Sequence, residues 1–496
     1  MNEEVIYLNK VNEVYFQLEM TRGQAMELKE MLSFYAPNYK YHPQFKAGFW
    51  NGKIPFFNIK ENLLPIGLLP YFIDYCEQFK YPFVFNFDRT EEFGSDITED
   101  RFNSFVDAIF PPDGNIYPRY YQQEAIYKVL TNKRGVLQLA TSSGKSLIQY
   151  SIIRYLLAMN ENILLVVPSI SLVEQMFSDF ESYGWTEAKE HCNLIYAGKS
   201  FDPNKKVTIS TWQSIYNKSP EFFKKFTGLV IDEVHLAAGK SISTICSNCK
   251  NAAFRVGLTG TMPKDDASIA TIVGYLGPVL YKLGAKELID LGVISQIEIK
   301  NIIAKYPEKM CIQRMDYATE QKDIFEYANR TKKIMAKLVP IIRGQNTLLL
   351  VQRIEHLKEV RDHIVDNYQD FKVYTISGET KPEERERIRK IIDTEDNVIL
   401  VATYQTLSTG VSIKKLHHII FFASYKSEVK VLQSIGRGLR MHTSKDKMIL
   451  WDVVDDMRYR NNGKAIKNYS YNHWEKYRLA YYEEQQFEYT NETINI

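Results

Sequence analysis

Beyond residue 114 the chain alternates short apolar runs with longer segments of helical periodicity. The runs at 135–140, 163–167, 207–210, 229–231 and 256–258 predict strands, and the segments between them predict helices. Strands that alternate with helices predict a parallel sheet covered on both faces. The alternation resumes after residue 290, with strands expected at 347–351, 373–376, 398–402, 419–422 and 448–451. Two α/β units of about 170 residues each are expected, joined by a short segment near 281–292.

The ends of the chain carry other patterns. Residues 1–110 are rich in aromatic side chains, with an alternating run at 14–18 and a helix expected over 23–35. Pro111-Pro-Asp-Gly114 reads as a linker. From Arg458 onward the chain is aromatic and mixed in charge, and a helix is expected over 471–487. The fold class is therefore α/β: two parallel-sheet domains in tandem, at 111–283 and 284–456. A small α+β domain at 1–110 precedes them and a C-terminal helical tail at 457–496 follows.

Composition removes several classes. With 45% hydrophobic and 25% charged residues the chain is an ordinary globular one, not a disordered one. Lys plus Arg (62) nearly balances Asp plus Glu (60), so no global basic excess points to nucleic acid. Residues 1–110 nevertheless hold 16 acidic and 10 basic side chains, which leaves the remainder positive. The N-terminus, MNEEVIYLNK, lacks a signal pattern, and no apolar run is long enough for a membrane span, so no membrane partner is expected. Five scattered cysteines suggest reduced thiols in a cytoplasm. Cys246 and Cys249 lack two further ligands at zinc spacing and read as two buried thiols on a helix.

The chemistry begins at Leu139-Ala-Thr-Ser-Ser-Gly-Lys-Ser146. This stretch fits the phosphate-loop pattern G-x-x-x-x-G-K-[ST] except that Leu139 replaces the first glycine. A strand precedes it and a helix follows, so free backbone amides and the helix dipole would face a bound phosphate. Thr141, Ser142, Ser143 and Gly144 form the cradle, with Gly144 permitting close approach. Lys145 would reach the β- and γ-phosphates, and the Ser146 hydroxyl would ligate Mg²⁺. Small serines can make the turn at some conformational cost.

A second apolar strand, Gly228-Leu-Val-Ile, ends in Asp232 and Glu233. At the C-terminal edge of a parallel sheet, Asp232 can hold Mg²⁺ while Glu233 orients or deprotonates the attacking water. Taken together, the two halves read as an ATPase site using ATP and Mg²⁺.

At this point the residues resemble a known family. Asp232-Glu-Val-His235 looks like the DExH box of superfamily 2 helicases and translocases. Arg119-Tyr-Tyr-Gln122, with Ala125, is similar to the Q-motif, in which Gln122 would bond the adenine edge. The stretch starting Pro168-Ser169 resembles motif Ia, the stretch containing Thr211 and Gln213 motif Ib, and Thr259-Gly-Thr261 motif III. In the second unit 348–351 resembles motif IV and 376–378 motif IVa. The stretch from Val401 through Thr403, Ser408 and Gly410 resembles motif V. Gln433-Ser-Ile-Gly-Arg-Gly-Leu-Arg440 matches motif VI.

The resemblance covers roughly 117–455 and implies two RecA-like domains. Segments at 41–45, 48–52, 211–213, 235–237 and 239–243 extend it to the recombination and repair DNA helicases of T4-type bacteriophages. That likeness implies an ATP-driven enzyme that unwinds and branch-migrates forked or four-way DNA and dissociates RNA–DNA hybrids such as R-loops. It also implies a bacterial host cytoplasm, a monomer, and phage or host recombination proteins as partners.

The motifs suggest a mechanism. Two α/β units can sandwich ATP, with Arg119, Gln122, Gly410 and Gln433 completing the nucleotide contacts. Arg437 and Arg440, one helical turn apart on one helix face, would act as arginine fingers on the γ-phosphate. His235, Thr259 and Thr261 would couple hydrolysis to movement. Ser169, Thr211, Gln213, Thr403 and Ser408 would grip backbone phosphates independently of sequence. In the N-terminal domain Lys40, Lys46 and Lys53 are interleaved with aromatics and are candidates for phosphate contact, whereas Trp50 and Phe45 read as packing residues. Two other readings stay open: an RNA-specific helicase, and a nucleotide-gated binder with little turnover.

Overall fold

The computed structural model describes residues 5–88, 94–111, 114–196, 201–314, 316–407 and 413–496. Contacts divide the chain into two compact units, 1–139 with 144–282, and 140–143 with 283–496.

The first unit opens with six short strands: β1 (Ile6–Lys10), β2 (Tyr15–Glu19), β3 (Ser33–Tyr35), β4 (Lys53–Pro55), β5 (Leu63–Pro65) and β6 (Phe83–Phe85). Four form a sheet in the order β5-β2-β1-β6, and β3 pairs antiparallel with β4. Ile6, Leu8, Phe16 and Leu18 point inward at alternate positions, which is the two-residue period of a half-buried strand. Helices Arg22–Met31 and Leu69–Phe79 close this core with Leu28, Phe72 and Tyr75.

The helix expected over 23–35 ends at Met31. A capping box starts it: Gln24 N donates to Thr21 Oγ1 (3.3 Å) and Thr21 N donates to the Gln24 side chain (2.9 Å). It stops because residues 33–35 find a ladder partner 20 residues away in the chain (Tyr35 opposite Lys53, with Ser33 opposite Pro55), and Phe34 packs on Phe56 at 5.8 Å. A pairing so distant in sequence is invisible to local periodicity.

A seven-stranded sheet follows: β7 (Arg134–Leu139), β8 (Ile163–Val167), β9 (Cys192–Ile195), β10 (Val207–Thr211), β11 (Gly228–Asp232), β12 (Phe254–Thr259) and β13 (Val279–Leu283), in the order β13-β7-β12-β11-β8-β10-β9. The pairs from β7 to β9 are parallel. β8, β10 and β11 are buried at every position, as expected of strands covered on both faces. The N-terminal sheet docks on the helix Asp266–Leu276, where a Cβ on Gly67 would lie 1.8 Å from the Val273 carbonyl oxygen. Only a residue without a side chain allows that approach.

The second unit is another seven-stranded sheet. It comprises β14 (Gln296–Lys305), β15 (Thr347–Val351), β16 (Lys372–Ile376), β17 (Val398–Thr403), β18 (His418–Phe421) and β19 (Lys447–Asp456). After the β20 (Tyr459–Asn461) and β21 (Lys464–Ile466) hairpin, the chain adds β22 (Tyr489–Asn495). The order is β16-β17-β15-β18-β19-β14-β22, parallel throughout.

The tail is helical over Tyr469–His473, Trp474–Arg478 and Leu479–Glu484, the middle piece being a π-turn. It then contributes edge strand β22, which the tail's composition did not announce. Arg478, fully buried, lies 3.1 Å from Asp452, and Tyr482 Oη donates to the same carboxylate at 2.8 Å. A second buried pair, Arg330 with Asp455 (2.6 and 3.0 Å), ties the helix Ala328–Ile342 to β19. Among the described residues no helix is long and apolar enough to cross a membrane.

Candidate functional site

Strand order brings the motifs of the first sheet together. β12 lies between β7 and β11, so Thr259 sits between the phosphate loop and the carboxylate pair. β8 and β10 continue the row, and their C-terminal ends carry Ser169 and Thr211. In parallel sheets the carboxyl edge of the strands is where ligands bind.

The missing glycine has a simple place in this geometry. Leu139 is the last residue of β7, its side chain is fully buried, and its carbonyl accepts a bond from Lys145 Nζ at 3.2 Å. The left-handed positions lie further on, at Ser142 (φ 69°) and Gly144 (φ 86°). Ser142 adopts this conformation with a side chain, whereas at 144 a Cβ would in addition meet Gln122 Nε2 at 2.2 Å. Gln122 is buried and its Oε1 accepts from the Arg119 N–H (2.8 Å), so this carboxamide braces the loop from the helix Tyr120–Asn132. Arg119 is exposed, Thr141 half-buried and Ser143 buried. Helix Lys145–Ala158 starts at Gly144 with no side-chain cap on its amides.

The carboxylates converge on the same place. Lys145 Nζ is 4.0 Å from Glu233 Oε1, and Gln149 Nε2 donates to Asp232 Oδ1 at 3.0 Å. Burial and the neighbouring Glu233 push Asp232 up to about 7. Burial works against the Glu233 charge as well, but Lys145 and His235 outweigh it and hold that carboxyl at about 2. In the absence of a bound cation the pair thus carries close to one negative charge between about pH 4 and about pH 6, and approaches two above about pH 7. Glu233 itself has φ 52°, an uncommon backbone conformation for a residue with a side chain.

From Glu233 a polar chain leads into motif III. His235 Nδ1 lies 3.3 Å from Glu233 Oε2 and 3.0 Å from Thr259 Oγ1. Thr259 Oγ1 in turn donates to the Thr261 carbonyl (2.8 Å) and accepts from the Thr261 N–H (3.3 Å).

Sequence reasoning missed two residues. Gln149 is fully buried one turn after Lys145, and a glutamine inside the apolar run Leu147-Ile-Gln-Tyr was the available signal. Tyr183, whose hydroxyl is 2.8 Å from Ser146 Oγ, had no local signal.

Other expected contacts lie at loop or helix starts. Ser169 caps the helix Ile170–Ser182, accepting from Leu172 N at 3.4 Å. Thr211 Oγ1 bonds Ser214 Oγ (2.9 Å), with Gln213 exposed beside it. Thr403 Oγ1 bonds Thr406 Oγ1 (2.6 Å) at the end of β17. Ser408 and Gly410 lie outside the described residues.

In motif VI, Gln433 and Arg437 are half-buried on the helix Glu428–Gly438. Arg440 is not on the same helix face, as the spacing suggested, because the helix ends at Gly438. The carbonyls there are claimed elsewhere: Lys445 Nζ donates to Gly438 O and to Leu416 O (2.8 Å), and Ser295 N donates to Leu439 O (2.7 Å). Arg440 instead forms a β-bridge opposite Ile294.

The N-terminal lysines differ among themselves. Lys53 pairs with Glu30 and Lys40 lies 5.8 Å from the Tyr39 ring centre, while Lys46 is exposed. Trp50 packs edge-on to His42 and donates its Nε1–H to Lys53 O (2.9 Å). Phe45 meets Tyr39 edge-to-face. Cys246 and Cys249 are buried, and burial pushes their thiols up to about 11 and about 12. Cys246 lies on the helix Lys240–Asn248 and Cys249 caps its end, where Arg255 bonds both carbonyls.

Two parallel sheets with these motifs at their carboxyl edges define a superfamily 2 helicase. Family models agree with this: residues 115–264 match the type III restriction enzyme res subunit, 331–442 the helicase conserved C-terminal domain, and 8–86 the N-terminal domain of DNA helicase UvsW. The ATP-dependent DNA helicase uvsW of Enterobacteria phage T4 is 32% identical over 488 residues, covering 95% of each chain. The crystal structure of T4 UvsW covers 99% of both chains at 30% identity, with a TM-score of 0.52. The DNA 3'-5' translocase XPB2 of Sulfurisphaera tokodaii is 26% identical, covering 67% of this chain and 80% of its own. The chain belongs to the UvsW family of helicases.

Proposed function

We propose that the chain is an ATP-driven DNA helicase and translocase that acts on forked and four-way DNA and on RNA–DNA hybrids. The observation that carries this reading is the run of close polar contacts from Lys145 through Glu233 (4.0 Å) and His235 (3.3 Å) to Thr259 (3.0 Å), which joins the phosphate loop to motif III on the same sheet edge as the expected nucleic-acid contacts.

The donor set fits a nucleotide and a divalent cation. The amides of the helix that starts at Gly144 lack a side-chain cap, Lys145 stands 4.0 Å from Glu233, and the buried Asp232–Glu233 pair is short of positive charge. Thr141, Ser142, Ser143 and Gly144 would hold phosphate, with Lys145 on the β- and γ-oxygens. Ser146 and Asp232 would hold Mg²⁺, which supplies charge neutralisation on the phosphates. Glu233, whose carboxyl stays ionised, would orient the attacking water or take its proton. Arg119, Gln122, Gly410 and Gln433 complete nucleotide recognition, and Arg437 and Arg440 stabilise charge on the γ-phosphate. His235, Thr259 and Thr261 transmit the state of the site.

Ser169, Thr211, Gln213, Thr403 and Ser408 hold the DNA backbone, so binding is independent of sequence and weakens with salt. Lys40 and Lys46 are better placed than Lys53 to add phosphate contacts, since Lys53 already has a carboxylate partner.

The test compares ATP hydrolysis with fork DNA, four-way DNA, single-stranded DNA and RNA, with Lys145→Ala as control. Stimulation by branched DNA is expected. No stimulation by any nucleic acid would overturn the motor, and stimulation by RNA alone would overturn the DNA assignment.

A further inference from the structure

Tyr183 is the last, capping residue of the helix Ile170–Ser182, whose first cap is Ser169. That helix has 13 residues and so spans about 20 Å. At its far end the Tyr183 hydroxyl stands 2.8 Å from Ser146 Oγ. One rigid element therefore has the motif Ia serine at one end and the phosphate-loop serine at the other.

The far end is clamped. The Tyr183 ring packs on Tyr150 (centroids 5.4 Å apart), one turn beyond Ser146 on the phosphate-loop helix. Tyr150 also meets Phe180 (5.6 Å) and the buried Trp185 (6.2 Å). Arg154 donates to the Tyr150 hydroxyl at 2.6 Å and covers the Trp185 ring at 5.0 Å. A displacement of the helix 170–182 along its axis thus shifts Tyr183 against Ser146 and is not absorbed by loose packing.

A serine hydroxyl that ligates a cation uses a lone pair, and its proton then needs an acceptor. The Tyr183 oxygen is at hydrogen-bond distance to be that acceptor. Outer partners of this kind orient the ligand and alter cation affinity by about 10- to 100-fold.

We propose that Tyr183 is the positioning residue for Ser146, and that the helix 170–182 links nucleic-acid contact at Ser169 to divalent-cation binding at Ser146. The inference rests on the roles given to Ser146 and Ser169 under the proposed function. Linkage requires it to act both ways: nucleic acid lowers the Mg²⁺ concentration needed, and Mg²⁺ with nucleotide strengthens nucleic-acid binding by the same factor.

The experiment titrates Mg²⁺ against binding of a fluorescent ATP analogue to the full chain, with and without oligo-dT. The parent and Tyr183→Phe, which removes one oxygen and keeps the ring, are compared, and thermal melting without ligands checks that both are folded alike. The parent midpoint should fall on adding oligo-dT. In Tyr183→Phe it should rise by about tenfold and lose its response to oligo-dT. A midpoint within about twofold of the parent, or a response to oligo-dT of parental size, overturns the inference. If the parent bound the analogue with no dependence on Mg²⁺, the reading of the site itself would fall, and the inference with it.

Discussion

Gln149 and Asp232 are joined by a 3.0 Å hydrogen bond between two side chains on different elements, both buried at the carboxyl edge of the first sheet. The amide fixes one carboxylate oxygen without contributing charge. Replacing Gln149 by Leu should leave Asp232 free to rotate and still more reluctant to ionise. Mg²⁺-dependent nucleotide binding should weaken by about tenfold, measured by calorimetry, with the ligand-free melting temperature little changed.

The carboxylate pair predicts an opposed pH dependence. Asp232 is raised from 3.8 to about 7, so between those values the folded state holds a proton that the unfolded state has lost. Its effect on cation-free stability is therefore a loss as pH rises from about 4 to about 7. Glu233, held at about 2, contributes stability that is present above its ordinary value of 4.5 and is lost as pH falls towards 2. Melting curves of Asp232→Asn should lack the first component, and the gain in melting temperature on adding Mg²⁺ with nucleotide should be larger at pH 8 than at pH 5.5.

Gly144 and Ser142 are both left-handed, but they are not equivalent. Gly144→Ala adds a Cβ against Gln122 Nε2 as well as a backbone cost of about 1–2 kcal/mol. It should abolish tight nucleotide binding. Ser142→Gly relieves the backbone and adds unfolded-state entropy, so stability should change by less than about 1 kcal/mol and nucleotide affinity should be kept. Equilibrium denaturation and analogue binding on the two variants test the distinction.

His235 spans Glu233 and Thr259. His235→Ala should lower DNA unwinding more than ATP hydrolysis, by a coupling change of about 0.5–2 kcal/mol. Equal loss of both activities would place His235 in the chemistry and not in its transmission.

Arg330 and Asp455 are both about 1% exposed and are linked at 2.6 Å. Arg330→Met leaves the carboxylate buried without its cation, held among the described residues only by the Tyr306 hydroxyl (2.9 Å), which should destabilise the second unit by about 3–5 kcal/mol. Urea denaturation should show the effect, and Arg330→Met with Asp455→Leu together should recover part of it.

What was legible in the chain follows from the range of the forces involved. Apolar runs and strand–helix alternation are local, and they located β7, β8, β10, β11, β12 and β15 to β18 to within two residues at either end, while β19 runs on to Asp456 beyond the expected 451 and β9, β13 and β14 stood outside the expected set. Backbone amides at a helix start, a lysine, a hydroxyl and a strand-end carboxylate pair are also local, so the chemistry of the loop and the DExH box could be read directly. Leu139 is instructive here: the pattern wanted glycine at 139, yet the chain turns at Ser142 and Gly144. Tertiary structure alone decided the rest. The early end of the helix at Met31, the bridge that takes Arg440 off the motif VI helix, strand β22 and the contact of Tyr183 with Ser146 each depend on partners distant in the chain. Periodicity cannot supply such partners, because which hydrogen-bonding group meets which is determined only when the sheets and helices are packed.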